Sequence, residues 1–169
     1  MPMRKRISIT IALLAASVLL FYFIALLTAA PSQISGNGNP GLIPIILAIP
    51  VYLAFQWVYY ALLLQWFQGA DGRFTSSMLL SVSAIMIWAV IGEIEYIQAL
   101  LEQLGDWDHP DSKLYRYPLL NQYTNTMFFN GYTFIGGMLL TTLSAVIYSY
   151  IRTLRVRRAK LADLNDPLG

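Results

Sequence analysis

Four apolar stretches, each long enough to cross a bilayer, constrain the fold of this chain more than any other feature. They cover residues 7–30, 41–67, 76–104 and 125–151. A helix needs ~20 mostly apolar residues to span the ~30 Å hydrocarbon core. The chain is 57% hydrophobic and 12% charged, outside the usual range of soluble domains. We therefore predict an all-α integral membrane protein, a single membrane domain with four transmembrane helices in an antiparallel bundle.

The first stretch also has features of a secretory signal peptide. Arg4, Lys5 and Arg6 precede the apolar run, and the sequence LTAAPS at its end resembles a small-residue cleavage site. The apolar run, however, exceeds the ~7–15 residues of a signal-peptide core. We interpret residues 7–30 as a membrane span.

The basic residues divide unevenly between the two sides of the predicted bundle. One side holds Arg4, Lys5, Arg6, Arg73 and a basic tail, residues 152–169, with Arg152, Arg155, Arg157, Arg158 and Lys160. The other side holds only Lys113 and Arg116, in the loop 105–124. Cytoplasmic segments of membrane proteins carry the excess of Lys and Arg. We predict that both termini are cytoplasmic, in a bacterial inner (plasma) membrane, with the loop outside.

Every glutamate of the chain lies in the third apolar stretch, as Glu93, Glu95 and Glu102. A carboxylate inside a bilayer is costly unless it is paired or protonated, so it marks a candidate functional site. Glu93 either lies near the headgroups or faces the bundle interior. We place it in the interior because Met86, Ala89 and Ile97 continue its face of the helix.

The other helices offer neutral polar groups at the depth of Glu93. These are Tyr52 and Gln56 in the second helix and Asn130 in the fourth, with no Lys or Arg among them. A carboxylate with such neighbours would be protonated or would coordinate a cation with neutral oxygens. Glu93, Tyr52, Gln56 and Asn130 form the candidate intramembrane polar site.

The fourth helix carries a stripe of small and polar residues at helical period. Its members are Asn130, Thr133, Gly137, Thr141, Ser144 and Tyr148, at spacings of 3, 4, 4, 3 and 4. Small and hydroxyl-bearing residues on one face let transmembrane helices approach closely, so helix packing is the simpler interpretation. A path lined for water or a solute is the alternative.

The loop and the tail carry the remaining polar groups. The loop sequence Asp108-His109-Pro110-Asp111 resembles a weak cation site, but a solvated loop explains it better, and we predict no metal. The basic tail either anchors the chain on anionic lipid or binds a cytosolic partner.

Composition excludes several function classes. The chain has no cysteine and one histidine, and it lacks a glycine-rich phosphate loop, so we predict neither an enzyme nor a cofactor. A net charge of +2 does not favour binding to nucleic acid.

We predict a membrane interaction protein, such as a subunit, sensor or immunity-type protein. It would contact the lipid bilayer and either another protein or a second copy of itself in a homo-oligomer. Size and span number are those of immunity proteins against pore-forming bacteriocins, an analogy without a shared motif. The alternative is an oligomeric ion- or proton-coupled channel or transporter that uses Glu93 and the stripe.

Overall fold

The structure is a computed structural model that describes residues 2–34, 36, 38–105, 107, 109–115 and 119–164. Its helices are α1 (Met3–Leu26), α2 (Leu42–Trp66), α3 (Gly72–Leu104), α4 (Asn125–Phe128) and α5 (Gly131–Leu164). Within this part of the chain there is no strand. Four helical stretches are long and apolar enough to cross a membrane: α1, α2, α3 and the combined stretch Asn125–Val156. For the described residues, the prediction of an all-α chain with four helices long and apolar enough to span a membrane is confirmed.

The first span begins and ends earlier than the predicted 7–30. Lys and Arg are good helix formers, and the basic residues at positions 4–6 already belong to α1. At the other end, Pro31 disfavours helical geometry in the residue before it. Ala29 leaves the helix and donates its backbone N–H to the Gln122 carbonyl, 2.8 Å away.

The second and third spans also differ at their ends. The second span is one residue shorter at each end than the predicted 41–67. The third begins at Gly72 instead of residue 76, because the extended backbone of Asp71 (ψ 150°) directly precedes the first helical turn. With 33 residues, α3 is ~50 Å long at 1.5 Å per residue, so it exceeds the thickness of a hydrocarbon core.

The fourth predicted helix, 125–151, is broken and extended. It is interrupted at Phe129 and Asn130, which separate the single turn of α4 from α5. The second part then continues to Leu164, through most of the predicted tail. No Gly or Pro lies between residues 152 and 164 to end the helix there.

The long helices pack in the spatial order α1, α2, α5, α3. The closely packed long helices are α1 with α2, α2 with α5, and α5 with α3, while α4 touches both α1 and α3. One apolar cluster joins Leu63 and Phe67 of α2 to Ala145 and Val146 of α5. Another packs Ile24 of α1 against Ile45 and Ala48 of α2. α5 thus lies between α2 and α3.

Many large apolar side chains point away from the bundle. Trp57, Leu80 and Ile43 are 76%, 75% and 71% exposed, respectively. In water such a surface would be unstable, whereas acyl chains solvate it as well as a protein interior does. The exposed apolar surface agrees with the spans identified from length and composition.

The connections between helices form a folded cap at one end of the bundle, which we call the loop cap (residues 105, 107, 109–115 and 119–124). Lys113 donates from its ammonium to the Pro31 and Gln33 carbonyls and lies 4.7 Å from the centre of the Tyr123 ring. Tyr123 and Leu114 pack on Leu104 at the end of α3. The loop cap therefore ties the α1–α2 connection to the end of α3.

Candidate intramembrane polar site

Asn130 organises the break between α4 and α5. Its Oδ1 accepts hydrogen bonds from the backbone N–H groups of Tyr132 (2.7 Å) and Thr133 (3.0 Å). The backbone N–H of Asn130 in turn donates to Thr133 Oγ1 at 3.0 Å. This reciprocal N-cap satisfies donors at the start of α5 that a break would otherwise leave unpaired inside the membrane.

The side-chain amide of Asn130 also joins three elements. Nδ2 donates to the Thr126 carbonyl of α4 at 2.9 Å and to Glu93 Oε2 of α3 at 2.8 Å. Asn130 therefore connects α4, α5 and the carboxylate through one planar group. The prediction that Glu93 and Asn130 belong to one site agrees with this contact.

Glu93 faces the bundle on the side that its neighbours predicted. Ala89, one turn earlier, is 2% exposed, and Glu93 itself is partly buried. Glu95 and Glu102 are exposed. The Glu93 carboxyl group lies beside the N-terminus of α5, at hydrogen-bond distance from the capping residue Asn130.

Tyr52 and Gln56, the other two predicted members, lie in a different contact. Tyr52 donates its hydroxyl to the Phe134 carbonyl at 2.5 Å, and Thr141 Oγ1 donates to Gln56 Oε1 at 2.6 Å. One turn further on, the Tyr59 hydroxyl lies 3.0 Å from Thr142 Oγ1. We call these three contacts between α2 and α5 the polar seam. The predicted site is thus divided into Glu93 with Asn130 and Tyr52 with Gln56.

Gly137 lies where the polar seam is tightest. A Cβ atom there would overlap the Tyr52 hydroxyl and lie 3.0 Å from Gln56 Nε2. The absence of a side chain at Gly137 therefore lets the two α2 side chains reach α5. Gln56 Nε2 is buried and has no hydrogen-bond partner among the described residues.

The predicted stripe of α5 needs a correction in its second half. Thr133, Gly137 and Thr141 face neighbouring groups, but Ser144 and Tyr148 are exposed. In that half, Thr142, Ala145, Val146 and Ser149 are buried instead. The apolar side chains of α2 and α3 converge there on Ala145 and Val146, so the packed face of α5 rotates along its length. A stripe drawn at constant period cannot follow neighbours that cross at an angle.

One close contact between α3 and α5 was not identified from the sequence. Gly92 is buried, and a Cβ atom on it would overlap the ring of Tyr132. This contact lies beside the Glu93–Asn130 hydrogen bond and fixes the distance between the two helices. The available signal was the glycine directly before Glu93 inside an apolar helix.

A lateral notch opens beside Glu93 on the surface formed by α3 and α5. It has a volume of about 230 Å³ and is lined by Ala89, Val90, Glu93, Ile94, Tyr132, Thr133 and Gly136. A Cβ atom on Gly136 would meet nothing within 4 Å. Val90 and Ile94 at its edge are each 50% exposed, so the notch faces outward from the bundle.

The predicted basic tail is helical as far as Leu164. Arg152, Arg155 and Arg158 are exposed along α5. The side chains of Arg157 and Lys160 lie outside the described residues, as do Asp106, Asp108, Arg116 and residues 165–169. His109 Nδ1 lies 4.0 Å from Asp111 Oδ2, and no group of three His, Asp or Glu residues with metal-binding geometry occurs in the described part of the chain.

Comparison with known proteins adds no family to this description. No family profile, no curated protein sequence and no solved structure matches the chain.

Proposed function

We propose that this chain is a non-enzymatic interaction protein of a membrane-associated complex, as a subunit, sensor or immunity-type protein. The polar seam is the observation that carries this proposal. Tyr52, Gln56 and Tyr59 bond to α5, and the Tyr52 hydroxyl and the Gln56 amide fill the space over Gly137. These contacts support a helix-packing role for the polar residues of the seam.

The proposal includes an antiparallel bundle with both termini in the cytoplasm of a bacterial inner membrane. Two contacts support opposite directions for α1 and α2: Arg6 at the start of α1 bonds to the Ala61 carbonyl late in α2 (2.7 Å), and Ile24 late in α1 packs on Ile45 early in α2. The excess of basic residues beside the termini supports the cytoplasmic assignment. The loop cap then lies outside, as a folded surface available to a partner.

The proposal is tested by isolating the tagged full-length chain from its native membrane in a mild detergent. We expect a second polypeptide at a fixed molar ratio, retained through gel filtration and identified by mass spectrometry. A chain that elutes alone, or only as multiples of its 19.0 kDa mass, would contradict the proposal.

An ion- or proton-coupled channel or transporter built from several copies is the second candidate. One observation favours it: the Glu93 carboxylate lies at a helix break, an arrangement that transporters use at ion and substrate sites. In this case Glu93→Gln should abolish a pH-dependent cation flux into reconstituted vesicles while leaving the fold intact. We expect no such flux above that of protein-free vesicles.

A further inference from the structure

The Glu93 carboxylate is only half satisfied by its own chain. Oε2 accepts from Asn130 at 2.8 Å, whereas Oε1 has no hydrogen-bond partner or cation among the described residues. Glu93 lines the lateral notch, where Val90, Ile94 and Ala89 supply only apolar atoms. A carboxyl group in apolar surroundings is stabilised by protonation, by a further donor or by a cation.

The chain has no cation to offer at this depth. No Lys or Arg occurs at positions 74–112, 117–151 or 7–72. Along α3, Arg73 lies 20 residues from Glu93, or ~30 Å at 1.5 Å per residue. A second copy in the same orientation has the same distribution of charges and cannot bring a Lys or Arg of its spans to the notch. A Lys or Arg that pairs with an ionised Glu93 would therefore come from a different protein.

The shape of the notch suits a helix. Gly136 lines the notch and leaves the α5 surface bare there, and a bare glycine lets a second helix backbone approach closely. The carboxylate lies at the side of this bare surface, within reach of a long side chain from a helix that packs there.

We propose that the notch at Glu93 and Gly136 binds a transmembrane helix of another protein, which places a Lys or Arg against the Glu93 carboxylate. The inference rests on the proposed function, since it specifies the partner's chemistry. It also decides against a second copy as the occupant of this surface.

The test uses a synthetic polyleucine transmembrane peptide that carries one Lys two helical turns from one end. The full-length protein and the peptide, each with a fluorophore, are reconstituted in phosphatidylcholine vesicles, and association is measured by energy transfer. A peptide with Leu in place of the Lys is the control for non-specific packing. We expect the Lys peptide to bind about tenfold more tightly, since one polar contact in a bilayer is worth ~1–2 kcal/mol, or roughly 5- to 30-fold in affinity.

Protein variants locate the contact. Glu93→Gln should remove the preference for the Lys peptide, whereas Glu95→Gln, on the exposed face of the same helix, should keep it. Gly136→Leu, which fills the notch and leaves the carboxylate in place, should also weaken binding. Equal binding of the two peptides, full binding by Glu93→Gln, or self-association stronger than peptide binding would each overturn the inference.

The outcome separates this inference from the proposed function. A native partner recovered equally with the wild-type protein and with Glu93→Gln would leave the proposed function in place and overturn the notch as its site. Selective binding of the Lys peptide without any native partner would support the notch and contradict the proposed function.

Discussion

Asn130 donates a hydrogen bond of 2.8 Å to Glu93 while the same side chain caps α5. The contact couples the only partly buried glutamate among the described residues to the one interruption in the fourth span. A capping residue is already held by its backbone bonds, so it presents its amide to the carboxylate at little entropic cost.

Exchanging the two side-chain types tests this relationship. Asn130→Asp keeps the cap acceptor but removes the donor and places a second carboxylate against Glu93, so we expect a lower thermal unfolding temperature in detergent. In the double variant with Glu93→Gln, the side chain at position 93 donates and the side chain at position 130 accepts. This variant should recover about 1 kcal/mol of the lost free energy of unfolding. Glu93→Gln alone should have a mild effect. A double variant no more stable than Asn130→Asp would show that the two side chains are not coupled.

Two adjacent glycines provide a matched pair for the polar seam. Gly137→Ala should lower the unfolding temperature, because its Cβ would displace the Tyr52 hydroxyl from the Phe134 carbonyl. Gly136→Ala adds a Cβ to open space and should be neutral or stabilising by up to ~1 kcal/mol through helix propensity. The same melting experiment compares them, and equal losses would contradict the close contact at Gly137.

Variants of the basic tail can distinguish lipid anchoring from binding of a partner protein. Replacing Arg155, Arg157, Arg158 and Lys160 with Gln while keeping Arg152 and the N-terminal bases should preserve membrane insertion, because the remaining bases still bias orientation. We expect the amount of co-isolated partner to fall, as measured by quantitative mass spectrometry at equal chain recovery. Full recovery of the partner with unchanged insertion would assign the tail to lipid anchoring alone.

Sequence reasoning places Glu93 and Asn130 together in a four-residue candidate site on the basis of one physical constraint. A carboxylate inside the membrane needs a donor, and few side chains at its depth can supply one. Depth does not tell which side of α5 a neighbour occupies, so the sequence predicts Tyr52 and Gln56 in the same site as Glu93, although they contact another side of α5. Their own spacing with Tyr59, at i, i+4 and i+7, was a usable signal for the polar seam.

The break before α5 also had a local signature that was not used. Asn130 followed three residues later by Thr133 is an N-cap pattern, hidden inside an apolar stretch that was read as one helix. The loop cap could not have been found in this way. Its main contacts, such as Lys113 to Gln33 and Tyr123 to Gln33, join residues 80 and 90 positions apart and leave no periodic trace.

Asp111 is a better position than Ser112 for a test of topology in the loop cap. Ser112 is buried and bonds to the Leu104 and Gly105 carbonyls, whereas the side chain of Asp111 is 94% exposed. With both termini cytoplasmic, Asp111→Cys should react with a membrane-impermeant thiol reagent in cells whose inner membrane is intact, and Arg158→Cys should not. The reverse labelling pattern would invert the topology.

The most direct test of the account asks whether water reaches the polar seam. The chain has no cysteine, so Thr141→Cys places a single reporter beside Gln56, with Asp111→Cys as the exposed control. The thiolate, which forms only in contact with water, attacks the sulfur of a methanethiosulfonate, forms a disulfide and displaces sulfinate, so labelling by a small water-soluble reagent reports access. If the polar seam is a closed packing contact of an interaction protein, Thr141→Cys should remain unlabelled in proteoliposomes while Asp111→Cys reacts fully. Labelling of Thr141→Cys at a rate similar to that of Asp111→Cys would contradict the account and favour a conducting protein.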